Sequence, residues 1–180
     1  MFGGFWQELK KEQRKNIIID DEEAVSLDYS QMGPRILYGL CRTRPTTEDC
    51  YSVLGYEKYR SGIKKVFNAM TFAENPMSRY PKGVKQMFKE DIRFHEVSDA
   101  IQRYHSGIAH KFYVGIGHYL QYLESQILIK VLLGLKDLGI HALPIHDAVV
   151  VGRAWVDMSK ELMEQVFLDM TNVESWVQVE

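Results

Sequence analysis

The chain has 180 residues, 46% of them hydrophobic and 26% charged, which is enough for one buried core and too little for several, so a single domain is expected. Two cysteines, Cys41 and Cys50, exclude a four-thiolate zinc site and a disulfide framework and fit a reducing cytoplasm. No stretch approaches the roughly 20 apolar residues of a membrane span. The start MFGGFWQELKK lacks the apolar core of a signal peptide, so a soluble, cytoplasmic protein without a membrane partner is expected.

A formal net charge of −2 argues, by itself, against a general nucleic-acid binder. Its distribution is uneven. From Lys58 to Arg93 nine basic residues face three acids, whereas from Trp155 to Glu180 six acids face Lys160 alone. Two solvated helix faces of opposite sign would give the same pattern.

In chain order, the polar run Lys10 to Lys15 is followed by Ile17, Ile18 and Ile19, read as a first strand, and by an acidic turn from Asp20 to Glu23. Ala24 to Leu27 lead as a strand into Asp28, after which Ser30 is expected to cap a helix with Ile36, Leu37 and Leu40 on its apolar side. Tyr56 to Phe72 carries Tyr59, Ile63, Val66 and Met70 at helical spacing, with Arg60 and Lys64 one turn apart on a neighbouring face. Pro76, Pro81 and Gly83 mark Glu74 to Phe94 as loop, and a weak helical pattern follows at Asp99 to His105. In Leu120 to Leu138 the apolar residues Leu123, Ile127, Val131 and Leu135 recur every four positions, predicting a long helix that Gly139 stops. Ala142 to Ile145 and Val149 to Val151 flank His146 and Asp147 as a hairpin, and a last amphipathic helix spans about Val156 to Met170.

Asp28 and Asp147 are the residues with the clearest chemistry. Taken singly, the first reads as a helix-cap residue and the second as a turn residue. Brought together, two such carboxylates can hold two Mg²⁺ ions, which activate an attacking 3′-hydroxyl and stabilise the leaving pyrophosphate. Their neighbours favour the second meaning. Asp28-Tyr29-Ser30-Gln31-Met32-Gly33-Pro34-Arg35-Ile36-Leu37 resembles the first palm motif of family A (DNA polymerase I-like) polymerases, D-Y-S-Q-I-E-L-R-[IV]-L, at seven of ten positions. Ile145-His146-Asp147-Ala148-Val149-Val150 resembles their third motif, V-H-D-E-[IL]-V, and the H-D-S of single-subunit phage-type RNA polymerases. Between them, Arg60 to Phe72 is similar to the fingers helix R-x3-K-x7-Y, so three motifs stand in family order.

The resemblance implies an α+β fold: a small antiparallel palm-like sheet bearing Asp28 and Asp147, packed by helices, with an abbreviated fingers insertion over about 50–118. It implies two Mg²⁺ ions held by Asp28, Asp147 and the Tyr29 carbonyl, Arg60 and Lys64 on the incoming triphosphate, Phe72 beside the nascent base pair, and His146 near the primer end. Gln31, Gly33 and Arg35 complete the substrate side. The implied partners are a nucleic-acid template-primer and nucleoside triphosphates, and the implied activity is template-directed nucleotidyl transfer.

Several positions depart from the family pattern. Gly33 replaces the Glu that crowds the sugar 2′ position, Phe72 replaces the Tyr of the fingers helix, and Ala148 replaces the acid after His-Asp. Weak discrimination between ribo- and deoxynucleotides is therefore expected. The 27 residues before Asp28 are too few for a thumb, so a fragment of a longer chain, an internal start site, or a reduced and inactive relative is expected, with a thumb supplied, if at all, by a missing N-terminal segment or a partner subunit. The rival reading is a non-catalytic nucleic-acid-binding or assembly module that keeps the palm scaffold. The scattered His105, His110, His118 and His141 form no metal-ligand pattern, and Glu124 and Lys130 read as a wet edge of the long helix.

Overall fold

A computed structural model describes residues 4–14 and 16–180; Met1, Phe2 and Gly3 of the opening segment and Lys15, the end of the polar run, lie outside the described residues. The fold is α+β, with a small antiparallel sheet and packing helices. The chain divides into two compact units, the first formed by Met1–Met32 with Leu123–Glu180 and the second by Gly33–Tyr122. The insertion expected over about 50–118 falls within the second.

The first unit holds the sheet. After the short helices α1 (Phe5–Glu8) and α2 (Lys11–Arg14) come β1 (Ile18–Ile19) and β2 (Glu22–Tyr29). The acidic turn is tighter than the sequence predicts: only Asp20 and Asp21 lie outside the strands, with φ of 53° and 65°. Positive φ at both central residues is the hairpin geometry that matches strand twist, and Asp tolerates it. Glu22 and Glu23 are thereby free to extend β2. Across the sheet, β2 pairs with β4 (Ala148–Gly152), and β4 pairs with β3 (Ala142–Ile145), as the His-Asp hairpin requires.

A strand absent from the sequence reading, β5 (Val177–Val179), pairs with the end of β2. Three residues are too few for periodicity to register. β1 and β5 lie end to end along one edge of β2: the amides of Ala24 and Ser30 donate to the carbonyls of Ile17 and Trp176, and that of Glu180 to Ser26. These bonds direct the backbone groups of the even-numbered β2 residues toward β1 and β5. Those of the odd-numbered residues therefore face β4.

The two faces of the sheet differ. Val25, Leu27 and Tyr29 alternate as buried residues on one face, together with Val149, Val151 and Val177. There α7 (Val156–Thr171) packs, with Phe167 5.3 Å from the Tyr29 ring and the Tyr29 hydroxyl donating to the Met163 carbonyl at 2.6 Å. Gly134 of α6 (Gly117–Asp137) lets Leu162 of α7 approach to 3.0 Å from where a Cβ would stand. On the opposite face Ile19, Ile145 and Val150 form a small cluster with Ile17, against which Trp6 and Leu9 pack. The Trp6 indole N–H donates to the Pro144 carbonyl at 3.0 Å, which fastens α1 onto edge strand β3.

The second unit is helical: α3 (Met32–Leu40) from Gly33 onward, α4 (Arg60–Phe72), α5 (Phe94–Tyr104) and the opening of α6. Pro34 sits in the first turn of α3, where a missing N–H is harmless. Ser30 does not occupy the cap position. Its amide continues the ladder to β5, and Gln31, at φ 59°, precedes the helix instead. Phe67 of α4 is the hub of the core, edge-on to Tyr51, His105 and Phe112. α5 begins at Phe94, inside what the sequence reads as loop, because Phe94, Val97, Ala100 and Ile101 form a buried stripe. The proline-bearing segment before it is tied by the Lys85 ammonium, which donates to the carbonyls of Lys89, Glu90 and Ile92 at 3.0, 2.8 and 2.6 Å.

Candidate functional site

Register brings the two motif aspartates to one end of the sheet. Asp28 pairs with Ala148 across β2 and β4, and Asp147 is the residue just before Ala148. Asp28–Ala148 is a non-hydrogen-bonded pair, for which Cα atoms stand about 4.5 Å apart, so the Asp28 and Asp147 Cα atoms are roughly 6 Å apart. Asp28 lies on the face opposite Leu27 and Tyr29 and is half-buried; Asp147 is exposed at the hairpin tip. Tyr29 is an odd-numbered β2 residue, so its carbonyl faces β4, where one more step of the register reaches Asp147.

His146 and Asp147 form a two-residue hairpin loop between Ile145 and its partner Ala148. His146 has φ 54° and Asp147 is not among the residues of positive φ, the pattern of a type II′ turn, which favours glycine at the first position. His146 is exposed in that left-handed conformation beside Asp147.

A third carboxylate, treated from sequence as part of a wet edge, belongs to this neighbourhood. Glu124 lies in the stripe of α6 that otherwise buries Leu120, Ile127, Leu128, Val131 and Leu135. Burial, reinforced by the negative charge of Asp147, raises its carboxyl to about 7. Its position, four residues after buried Leu120 and three before buried Ile127, is the sequence signal that marks it. Among the described residues no group of three or more His, Cys, Asp and Glu is disposed to hold a metal ion, so Glu124 does not complete such a group with the aspartates.

Of the remaining predicted residues, Gln31 belongs to the first unit and the others lie in the second. Arg60 and Lys64 share a face of α4, with the guanidinium 5.6 Å and the ammonium 5.9 Å from the centre of the Tyr51 ring. Arg60 also pairs with both carboxylate oxygens of Asp49, at 2.5 and 3.2 Å. Arg60 in turn helps hold the Asp49 carboxyl below its ordinary range against the opposing effect of burial. Phe72, at the end of α4, covers Gly117 and meets the His118 ring edge-on at 5.3 Å. Arg35 is 2% exposed and donates to the Glu48 carbonyl. Gln31 and Gly33 are half-buried at the start of α3. All nine basic residues from Lys58 to Arg93 are exposed.

The fold is polymerase-like. The POL domain of Pol1 from M. smegmatis, solved in complex with DNA primer-template and dNTP, matches 92% of this chain with a TM-score of 0.54 and 15% sequence identity. This chain spans 41% of the length of that one. No protein-family model and no curated protein matches the sequence. No helix among the described residues is long and apolar enough to cross a membrane.

Proposed function

We propose that the chain is a template-directed nucleotidyltransferase, a polymerase palm working by two-metal phosphoryl transfer. The observation that carries the reading is the β2–β4 register, which sets Asp28 beside the Asp147 turn at one end of the sheet within a polymerase-like fold. The donor set suits Mg²⁺, since two carboxylates and the Tyr29 carbonyl are all hard oxygen ligands. Accumulated negative charge points the same way, because Glu124 is already held toward its neutral form by burial and by Asp147.

Asp28, Asp147 and the Tyr29 carbonyl would hold the cations. When bound, these supply the Lewis acidity that readies a 3′-hydroxyl for attack on an α-phosphorus and neutralises the departing pyrophosphate. Arg60 and Lys64 are assigned to the triphosphate on the strength of their motif and shared helix face, and Phe72 to the nascent base pair. For Arg60 to serve, it must exchange Asp49 for phosphate, a trade between two anionic partners. Gln31 and Gly33 are assigned to the nucleotide sugar side and His146 to the primer end. Arg35 is assigned to the substrate side by its motif position, although its guanidinium is buried and donates to the Glu48 carbonyl. The primer-template and dNTP of the neighbour are taken as the partner class.

Primer extension with Mg²⁺ and all nucleoside triphosphates tests the reading. Incorporation is expected, and its loss in both Asp28→Ala and Asp147→Ala; incorporation that survives both changes rejects it. The exposed basic residues from Lys58 to Arg93 favour one alternative, a non-catalytic nucleic-acid-binding module. That module would bind salt-sensitively and incorporate nothing.

A further inference from the structure

β5 brings a side chain to the aspartate that none of the three motifs contains. Gln178 is the register partner of Asp28 on the edge of β2 away from β4. Residues directly opposite in an antiparallel pair project from the same face, with Cβ atoms about 5 Å apart. The alternation fixes which face this is: Val177, partner of Tyr29, is buried with the α7 side, so Gln178 shares the other face with Asp28. Asp28 therefore stands between Asp147 on its β4 flank and Gln178 on its β5 flank. A Gln side chain has two N–H donors, carries no charge and spans the distance to a carboxylate across the strands.

We propose that Gln178 is a positioning residue for Asp28, its amide N–H donating to the Asp28 carboxylate so that an oxygen is presented toward Asp147. This rests on the two-aspartate reading above and deepens it. Metal-ligating carboxylates commonly rely on such partners, and losing one weakens cation binding by about 10- to 100-fold. Gln178 is exposed, which places the expected effect at the low end.

The test is Mn²⁺ affinity of the full chain, followed by the electron paramagnetic resonance of free Mn²⁺, with thermal melting in parallel. Gln178→Met keeps length and removes the donor; it should weaken Mn²⁺ binding by about tenfold with the melting temperature retained. Gln178→His restores a neutral N–H donor and should recover most of that loss. Val179→Ala loosens the same strand from the opposite face and should leave affinity unchanged. A Met variant that binds as the wild type does, a His variant as weak as Met, or an equal loss in Val179→Ala overturns the proposal. Asp28→Asn separates the two levels: its loss of binding leaves the site reading standing whatever Gln178 does, whereas wild-type affinity in Asp28→Asn removes the site and the role of Gln178 together.

Discussion

The Tyr38 hydroxyl and His105 Nδ1 lie 2.7 Å apart in the core of the second unit, where His105 is 1% exposed and ringed by Tyr38, Phe67 and Tyr104. Burial lowers the imidazole to about 4, so the folded protein keeps it neutral. In the unfolded chain it takes up a proton near 6.5. Between those values the unfolded state binds more protons, so stability rises with pH across the window and is lost as pH falls from about 6.5 toward 4. The full difference is on the order of 3 kcal/mol. Urea unfolding from pH 4 to 7 should show this slope in the wild type and lose most of it in His105→Gln; equal slopes would assign the acid sensitivity elsewhere.

Glu124 carries the opposite sign. Its folded value, about 7, is raised above the ordinary 4.5, so the folded state holds the proton longer and stability falls as pH rises through that interval. The burial and Asp147 repulsion that cause it act fully only above 7. Glu124→Gln should therefore raise the melting temperature at pH 8 and leave it nearly unchanged at pH 4.5, with a gain at high pH of at most about 3 kcal/mol. Saturating Mg²⁺ should shrink that gain if the cation neutralises Asp147. A variant that is equally stabilised at both pH values would show that packing, and not charge, is responsible.

His146 stores backbone strain beside Asp147. At φ 54° the first position of its two-residue turn suits glycine, and a side chain there costs about 1 kcal/mol. His146→Gly should stabilise the first unit by about that amount in denaturant unfolding. Primer extension should fall in the same variant if the imidazole serves the primer end. Strain kept where a substitution readily relieves it is the signature of a functional position, and an unchanged extension rate in a stabilised variant would deny His146 that standing.

The match between sequence and structure follows the length scale of each signal. α4 and α6 carry stripes several turns long, and the His-Asp hairpin is flanked by apolar runs, so these elements are legible from the chain alone. Their neighbours mark Asp28 and Asp147 in the sequence, and only β-register brings these residues, 119 apart in the chain, to adjacent positions. The features that the sequence does not show are those whose meaning is tertiary. β5 has three residues, Gln178 matters through its partner across the ladder, and Glu124 is an ordinary helix residue until its stripe is seen to be buried. Arg35, read as a substrate ligand from its motif, is buried against the 48–50 loop.

Gly117 links the candidate base-stacking ring to the start of α6. A Cβ built on Gly117 would stand 2.6 Å from the Phe72 ring, whereas real Cβ contacts are rarely closer than van der Waals distance. Phe72 ends α4 and is 39% exposed, so its ring has room to move outward when the glycine is filled. Gly117→Ala should thus displace the ring at modest expense in stability, about 1 kcal/mol, because alanine favours the helix and the clash falls on a partly solvated side chain. If Phe72 contacts the nascent base pair, KM for the incoming nucleotide should rise several-fold while the melting temperature hardly moves, and Phe72→Ala should reproduce the KM change. A melting loss of several degrees with KM unchanged would make the Phe72–Gly117 contact a packing feature of the second unit and remove Phe72 from the substrate side. The same assay, run with ribo- and deoxynucleoside triphosphates, addresses Gly33 and the absent Tyr hydroxyl: both should be incorporated at rates within about tenfold, since roughly 1.4 kcal/mol is all that a single missing sugar contact need contribute. A strict preference for either sugar would overturn that expectation and locate the discrimination outside these two positions.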